Sequence, residues 1–520
     1  MKFILFATLF FPAVLGYALP DTSASHSSIA VPIQRRTLSS TTPTERLDKA
    51  IHRHHALKVK YGLPRDDEVT KKLAKRAATS VGTEDLAGND LSYYGSIQLG
   101  TPPKTYEVVL DTGSADLVIA TAESSLCGKQ CTTTAPLCTS HCLGPWGGAP
   151  HRVHERRANK VCRSLPSKDS VAGSSSAEES NTPFTIAYGT GGASGYLVRD
   201  VMSMAGFQAT QIFGACDNIS SLTTSSDQTG LLGLAWKTIA NSEATPFIQA
   251  LWTNGSLTNP VFGFGLRQLD STDVPDATTV TSGGYLTIGN VNSTLFTGTM
   301  NYIPLSNAGT YWNIPLDDLS VQSQSLGLTA AAAVIDTGTN SLALPADAAT
   351  AVYAQIPNSQ PISRSGGLYA YPCSTDINLV LTFGGVQYPM LSKDFNGGPI
   401  NNAGTLCIGA VSSLGTSQGA NPPWIIGTPF LMSYYNAYRF DPPAVGFATI
   451  ADPNRALESN TIPTSSGNSS SPQNSAGAAS PTSGASAGGS IPGGTSGAAK
   501  LAGTATSMIV GVGLVFVIFS

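Results

Sequence analysis

The sequence predicts a mainly β protein built as two related halves facing each other across a cleft. Three observations predict it. Val108-Val109-Leu110-Asp111-Thr112-Gly113-Ser114 and Ala333-Val334-Ile335-Asp336-Thr337-Gly338-Thr339 repeat one pattern 225 residues apart. Each copy is followed by an apolar pair beside Gly, in Gly230-Leu231-Leu232-Gly233 and in Trp424-Ile425-Ile426-Gly427. The composition, 41% apolar and only 12% charged with 53 Gly and 33 Pro in 520 residues, suits strands punctuated by turns in two or more domains.

In each copy three apolar residues run like the end of a buried strand into Asp-Thr-Gly, so a carboxylate stands where the strand leaves the core. A single copy reads as a strand and a tight turn whose Asp bonds its own backbone. Two copies meeting at a pseudo-twofold bring Asp111 and Asp336 face to face. Carboxylates that close cannot both ionise comfortably, so they share a proton, and one serves as base while the other serves as acid.

On these motifs the chain resembles the pepsin-like aspartic protease family over roughly residues 90–451, and its tail resembles the fungal GPI-anchored, yapsin-like members. The resemblance implies a bilobal double β-barrel with pseudo-twofold symmetry and a cleft between lobes. It also implies an endopeptidase that cleaves proteins at acid pH through a water activated by the two carboxylates, with no cofactor and no metal. Protein or peptide substrates, a monomeric state and no nucleic-acid partner go with it. Thr112 and Thr337 would hydrogen-bond across the halves, Gly113 and Gly338 would complete the turns, and Ser114 and Thr339 would donate to the outer carboxylate oxygens. Asp116 carries no such pattern and reads as an ordinary polar strand residue. A catalytically silent, GPI-anchored wall glycoprotein or binding module that kept the fold is the alternative; complete Asp-Thr-Gly-Ser/Thr sets favour the enzyme.

The N-terminus has the form of a signal peptide, with an apolar run from Phe3 to Leu15 and small residues up to Ala18, giving residues 1–18. Residues 19–76 hold 12 Lys and Arg against 6 Asp and Glu, whereas residues 77–520 hold 16 against 27. A cationic segment ending in Lys75-Arg76 before an anionic body reads as a pro-segment cut at Arg76 and drawn to an acidic cleft as an intramolecular inhibitor. By resemblance, Lys60 in Leu57-Lys58-Val59-Lys60-Tyr61-Gly62 is the candidate to lie against the dyad. A solvated basic linker is the other reading.

Residues 77–300 and 301–453 are the expected N- and C-terminal lobes. Ser92 to Leu110 reads as two strands around Thr101-Pro102-Pro103. Asp111 and Gly233 are 122 residues apart but Asp336 and Gly427 only 91, which places a surface insertion of about 31 residues near 127–180. It holds Cys127, Cys131, Cys138, Cys142 and Cys162, the basic stretch Arg152 to Lys168 and Ser174-Ser175-Ser176. With His141 beside them, four of these cysteines have a spacing that would also suit zinc; in a secreted chain disulfides are expected. Cys216 joins that first-half set with pairing open. Cys373 and Cys407 are the only second-half cysteines and each other's expected partner. Arg156-Arg157 is either a second processing site or an uncut loop.

Phe184 to Gly195 reads as a strand with a Gly-rich tip, and a second strand is expected from Tyr196. It resembles the family's flap: Tyr188, Gly189, Thr190 and Gly191 would close over the dyad and hold substrate. Most pepsin-like enzymes have a Trp seven residues after the catalytic Asp, bonded to the flap Tyr; here Val118 stands there, so Tyr188 needs another partner. Gly283 to Gly289 and Tyr311-Trp312-Asn313-Ile314 read as second-half strands. Asn218, Asn254, Asn292 and Asn468 are candidate glycan acceptors in Asn-x-Ser/Thr.

Residues 454–497 form a Ser, Gly and Pro-rich stalk. Residues 498–520 end in the apolar run Met508 to Phe519, twelve residues and short for a membrane span, and fit a removable GPI signal with Gly497 or Ser496 as attachment residue. The expected location is the cell surface, by lipid anchor at the plasma membrane or wall, or release outside the cell.

Overall fold

The computed structural model describes residues 29–36, 42–63, 92–121, 173–188, 191–220, 229–267, 280–416 and 424–451. The expected signal peptide at residues 1–18, Arg76, the five insertion cysteines, Gly189, Thr190, Asn468, and residues 454–520 with the expected stalk and anchor signal lie outside the described residues. Among the described residues no helix is long and apolar enough to cross a membrane.

The chain opens with β1 (Ile29–Arg36) and α1 (Pro43–Lys60), neither of which was expected from the sequence. α1 nevertheless carries a legible start signal: the Thr42 hydroxyl accepts from the Glu45 amide, the Glu45 carboxylate accepts from the Thr42 amide, and Pro43 opens the first turn. β2 (Ser92–Leu99) and β3 (Lys104–Asp111) make the predicted hairpin, with Tyr94 opposite Val109. β4 (Leu117–Ala120), β5 (Glu178–Tyr188), β6 (Gly191–Met204), β7 (Phe207–Ser220) and β8 (Gly230–Gly233) complete the first half.

The flap hairpin forms between β5 and β6, Tyr188 opposite Gly191. Its second strand starts at Gly191 rather than Tyr196, because Gly191 to Gly195 keep ladder pairing with β5 despite their glycines. The insertion is likewise shorter at its C-terminal end than expected, since β5 is already paired with β6 at Glu178.

The duplication appears as repeated strand order. In the first half β3 runs parallel to β8, β8 antiparallel to β4, and β4 parallel to β7. In the second, strand Ala330–Ile335 runs parallel to Trp424–Ile426, which is antiparallel to Leu342–Leu344, which is parallel to Val411–Ser413. Each apolar lead thus lies beside its own apolar-Gly landmark, Asp111 opposite Gly233 and Ile335 opposite Ile426. The glycines are required by close chain crossings. A Cβ on Gly233 would sit 2.5 Å from the Ala115 backbone, and one on Gly427 would strike the Thr339 carbonyl.

A long sheet joins the halves. β9 (Val261–Leu266) pairs with β10 (Val280–Ile288) and with strand Tyr434–Arg439. β1 lies between β10 and β2, so the N-terminal segment is a member of the sheet. The core under the cleft is aromatic: Trp312 packs with Trp236, Phe262, Tyr438 and Phe440 at centroid distances of 5.1–5.6 Å. The Trp312 indole also donates to the Leu234 carbonyl at 2.9 Å, tying a residue before the second Asp to one after the first landmark. Cys373 and Cys407 form the expected disulfide. Cys216 differs from expectation: it is a buried free thiol whose ladder partners are Ala120 and Gly195, so no thiol faces it across either strand.

Candidate active site

Asp111 is the last residue of β3 and Asp336 directly follows strand Ala330–Ile335. Both are buried, at 2% and 0% exposure. Their loops are cross-linked by a symmetric set of hydrogen bonds. The Thr112 amide donates to the Thr337 hydroxyl at 3.1 Å, and the Thr337 amide donates to the Thr112 hydroxyl at 2.9 Å. Each hydroxyl then donates to the carbonyl two residues before the opposite Thr: Thr112 to Ile335 and Thr337 to Leu110, both at 2.9 Å. Each of the two buried hydroxyls both accepts and donates, so the loops are tied in both directions.

Each carboxylate is dressed alike. The Gly113 amide donates to Asp111 Oδ1 at 2.9 Å and the Gly338 amide to Asp336 Oδ1 at 2.8 Å. Ser114 donates to Asp111 Oδ2 at 2.5 Å, and Thr339 donates to Asp336 Oδ2. All eight residues of the two motifs named from sequence are therefore brought together. A side chain on Gly113 would stand 2.5 Å from the Asp336 carboxyl carbon, and one on Gly338 would collide with Asp111. The two carboxylates are thus packed against each other's glycine.

Lys60, the last residue of α1, reaches between them. Its ammonium donates to Asp111 Oδ1 at 2.8 Å and to Asp336 Oδ2 at 2.9 Å. The Tyr61 hydroxyl donates to the same Asp336 oxygen at 2.9 Å, and its ring packs on Tyr311, centroids 5.3 Å apart. Burial raises the Asp111 carboxyl above its ordinary value, against the pull of Lys60, and the Asp336 charge raises it further. Burial also works against ionised Asp336, but Lys60, Thr339 and the bond to Asp111 outweigh it and hold that carboxyl below its ordinary value. The pair therefore splits into a more acidic and a less acidic member. Lys60 itself is held charged: burial disfavours the ammonium, but the two carboxylates more than compensate.

Asp116 is not the ordinary residue expected. It is 2% exposed, and its carboxylate accepts from the Asn241 amide at 2.8 Å and the Ser242 amide at 2.9 Å, with both side chains adding bonds. Nothing within the local sequence marks this, because the donors are 125 and 126 residues away. Val118 is buried in β4 between Gly214 and Leu231, so the position is filled as core. Tyr188 lies at the end of β5, and its side chain is outside the described residues. Asn254 is exposed, and Asn292 is half-buried with its side-chain oxygen accepting from the Thr294 amide and hydroxyl; Asn218 lies in β7.

The model of the family described as eukaryotic aspartyl protease matches residues 92–450, which include both carboxylates and every strand that positions them. The chain belongs to that family. This protease is 32% identical over 398 residues to major aspartyl peptidase 1 of Cryptococcus neoformans var. grubii, covering 74% of each chain. It is 29% identical to an aspartic protease of Phaffia rhodozyma, over 73% of this chain and 82% of that one. Human gastricsin is 30% identical, over 72% of this protease and 85% of the relative. The protease has the bilobal pepsin-like fold and is an aspartic-type endopeptidase, as the two motifs imply.

Proposed function

We propose that Asp111 and Asp336 are the catalytic pair of an endopeptidase working at acid pH, carried as a zymogen in which residues 19–76 block the cleft. The observation that carries this reading is the single ammonium of Lys60 bonded to one oxygen of each carboxylate. Any small donor at that point is bonded by both groups at once, and a water there would be held for attack on a peptide carbonyl. Asp336, kept ionised by the Thr339 hydroxyl and the bond to Asp111 once Lys60 has left, takes the proton of that water. Asp111, protonated, donates to the carbonyl oxygen as the gem-diol forms, and a proton then passes to the leaving amine. Lys60 and Tyr61 fill this space in the full chain, so substrate and pro-segment exclude each other.

The cleft surface contacted by the segment is apolar: Leu57, Tyr61 and Leu63 pack with Val334, Leu414 and Ile425, and Tyr311 lies beside them. This supports cleavage beside large apolar residues. The apolar N-terminal run, the candidate glycan acceptors and the small-residue site at Gly497 or Ser496 before the apolar tail support a mature enzyme held at the cell surface by a lipid anchor. Acid digestion of denatured haemoglobin, with and without a statine-type inhibitor, tests the reading. Inhibitor-sensitive cleavage by wild type and none by Asp336→Asn is the expected result; cleavage retained by the purified variant overturns it.

A further inference from the structure

α1 holds further buried ionisable groups, His54, His55 and Lys58, that the chemistry does not use. His54 is 4% exposed, and its Nε2 lies 3.0 Å from the Gly366 carbonyl oxygen. The buried Lys58 ammonium donates to that same oxygen at 3.2 Å, so one backbone acceptor serves both side chains. The ring's other nitrogen, Nδ1, is buried with no hydrogen-bond partner. A neutral imidazole satisfies this site with Nε2–H donating and Nδ1 bare. A protonated one must bury a second N–H with no acceptor, and a second positive charge beside Lys58.

The surroundings offer the imidazolium little. Among the described residues the charges acting on the ring are those of Lys58 and His55, both on its own helix, while the backbone of Gly366 and Ser413 favours the proton without offsetting burial. Arg364 in the 362–368 loop is exposed, as are Glu178 and Glu179 on β5, where Glu178 pairs with Arg199. The fit is close: a side chain on Gly367 would come within 2.9 Å of Nε2. Burial, then Lys58, lowers the His54 pKa from 6.5 to about 4.

We propose that His54 is an acid trigger of this segment: its neutral ring docks α1 against the loop around Gly366, and its protonation loosens the helix before the dyad carboxylates gain protons. This rests on residues 19–76 being a releasable pro-segment. A base whose docked value lies below its free value binds its proton preferentially in the undocked state. Docking is therefore at full strength above about pH 6.5 and weakens as pH falls toward about 4. Between pH 7 and pH 5 the docking equilibrium should fall about twentyfold. Asp336, held below its ordinary value of 3.8, is still ionised there, so Lys60 keeps its grip while the rest of the helix loosens.

The test is pulsed hydrogen exchange of α1 amides in the full chain, corrected for intrinsic rate, from pH 7 to pH 4.5. Wild type should lose protection about twentyfold by pH 5. His54→Gln, which keeps a neutral donor for Gly366 but cannot be charged, should stay flat over that range. Lys58→Gln, which removes the neighbouring charge, should keep the transition with a smaller amplitude. Loss of protection in His54→Gln equal to wild type, or none in wild type above pH 4.5, overturns the trigger. Exchange needs no catalysis, so acid digestion by the same samples separates the readings. An active protease with a pH-independent helix sinks only the trigger, and a silent chain whose helix undocks sinks only the protease.

Discussion

At the scale of single residues, the pair of carboxylates is set by what each can and cannot touch. Asp336→Asn keeps the volume and the Gly338 amide bond but removes the charge, so the base is lost. Turnover should fall by at least about 10²–10⁴-fold, with thermal unfolding little changed, as steady-state kinetics and a melting curve would establish. Gly113→Ala is the harsher test of geometry, because its new methyl would occupy the space of the Asp336 carboxyl. It should abolish turnover without altering any ionisable group, and near-normal kinetics would mean that the two loops are not held this closely. Lys60 acts in the opposite sense. Lys60→Met in the full chain leaves two buried carboxylates facing each other, and losing one partner of a buried pair costs about 3–5 kcal/mol. The variant should cleave substrate at pH values where the wild-type full chain is silent, as read by a fluorogenic peptide before and after removal of the segment.

At the scale of elements, the cross-linked loops behave as one part. Thr112→Val keeps the shape but removes the hydroxyl that accepts from Thr337 and donates to Ile335. Leaving the buried Thr337 amide without its partner costs about 1–3 kcal/mol. Turnover should fall more than stability, because the bond's main effect is to hold the two carboxylates in register; equal losses would point to general destabilisation. The strands leading into these loops were legible in the sequence because three consecutive apolar residues before Asp-Thr-Gly mark a strand buried on both faces. The flap was legible as a hairpin, but its second strand began five residues earlier than expected, since ladder pairing to β5 overrides the glycines' weak strand preference. β1 escaped notice altogether. Ile29 to Arg36 is a modest alternating stretch, and its strand state is decided by β10 and β2 on either side.

At the scale of the whole molecule, pH should move the protein between closed and open states. A carboxyl held below its ordinary value stabilises the closed form above about pH 3.8 and loses that contribution as pH falls through its lowered value. The Lys60 grip on Asp336 therefore holds at neutral pH and fails in strong acid. In His54→Gln, where the earlier step is absent, undocking of the segment should be confined to pH below about 4, measurable by hydrogen exchange of the α1 amides. Loss of the helix at pH 6 in that variant would contradict this order.

The sequence by itself determined the class of chemistry and the plan of the fold, because both rest on local spacing. An Asp at the end of an apolar strand, a hydroxyl three residues later and a Gly between them are meaningful when they occur twice. The pairing of Cys373 with Cys407 was equally open to reading, as they were the only two cysteines of their half. Tertiary structure alone decided that Asp116 is a buried anchor for Asn241 and Ser242, that Cys216 is an unpaired thiol, and that His54 and Lys58 converge on one carbonyl oxygen. Each depends on partners more than a hundred residues away or on the neighbours of a strand, and a linear pattern carries no record of which distant backbone comes to lie opposite a side chain.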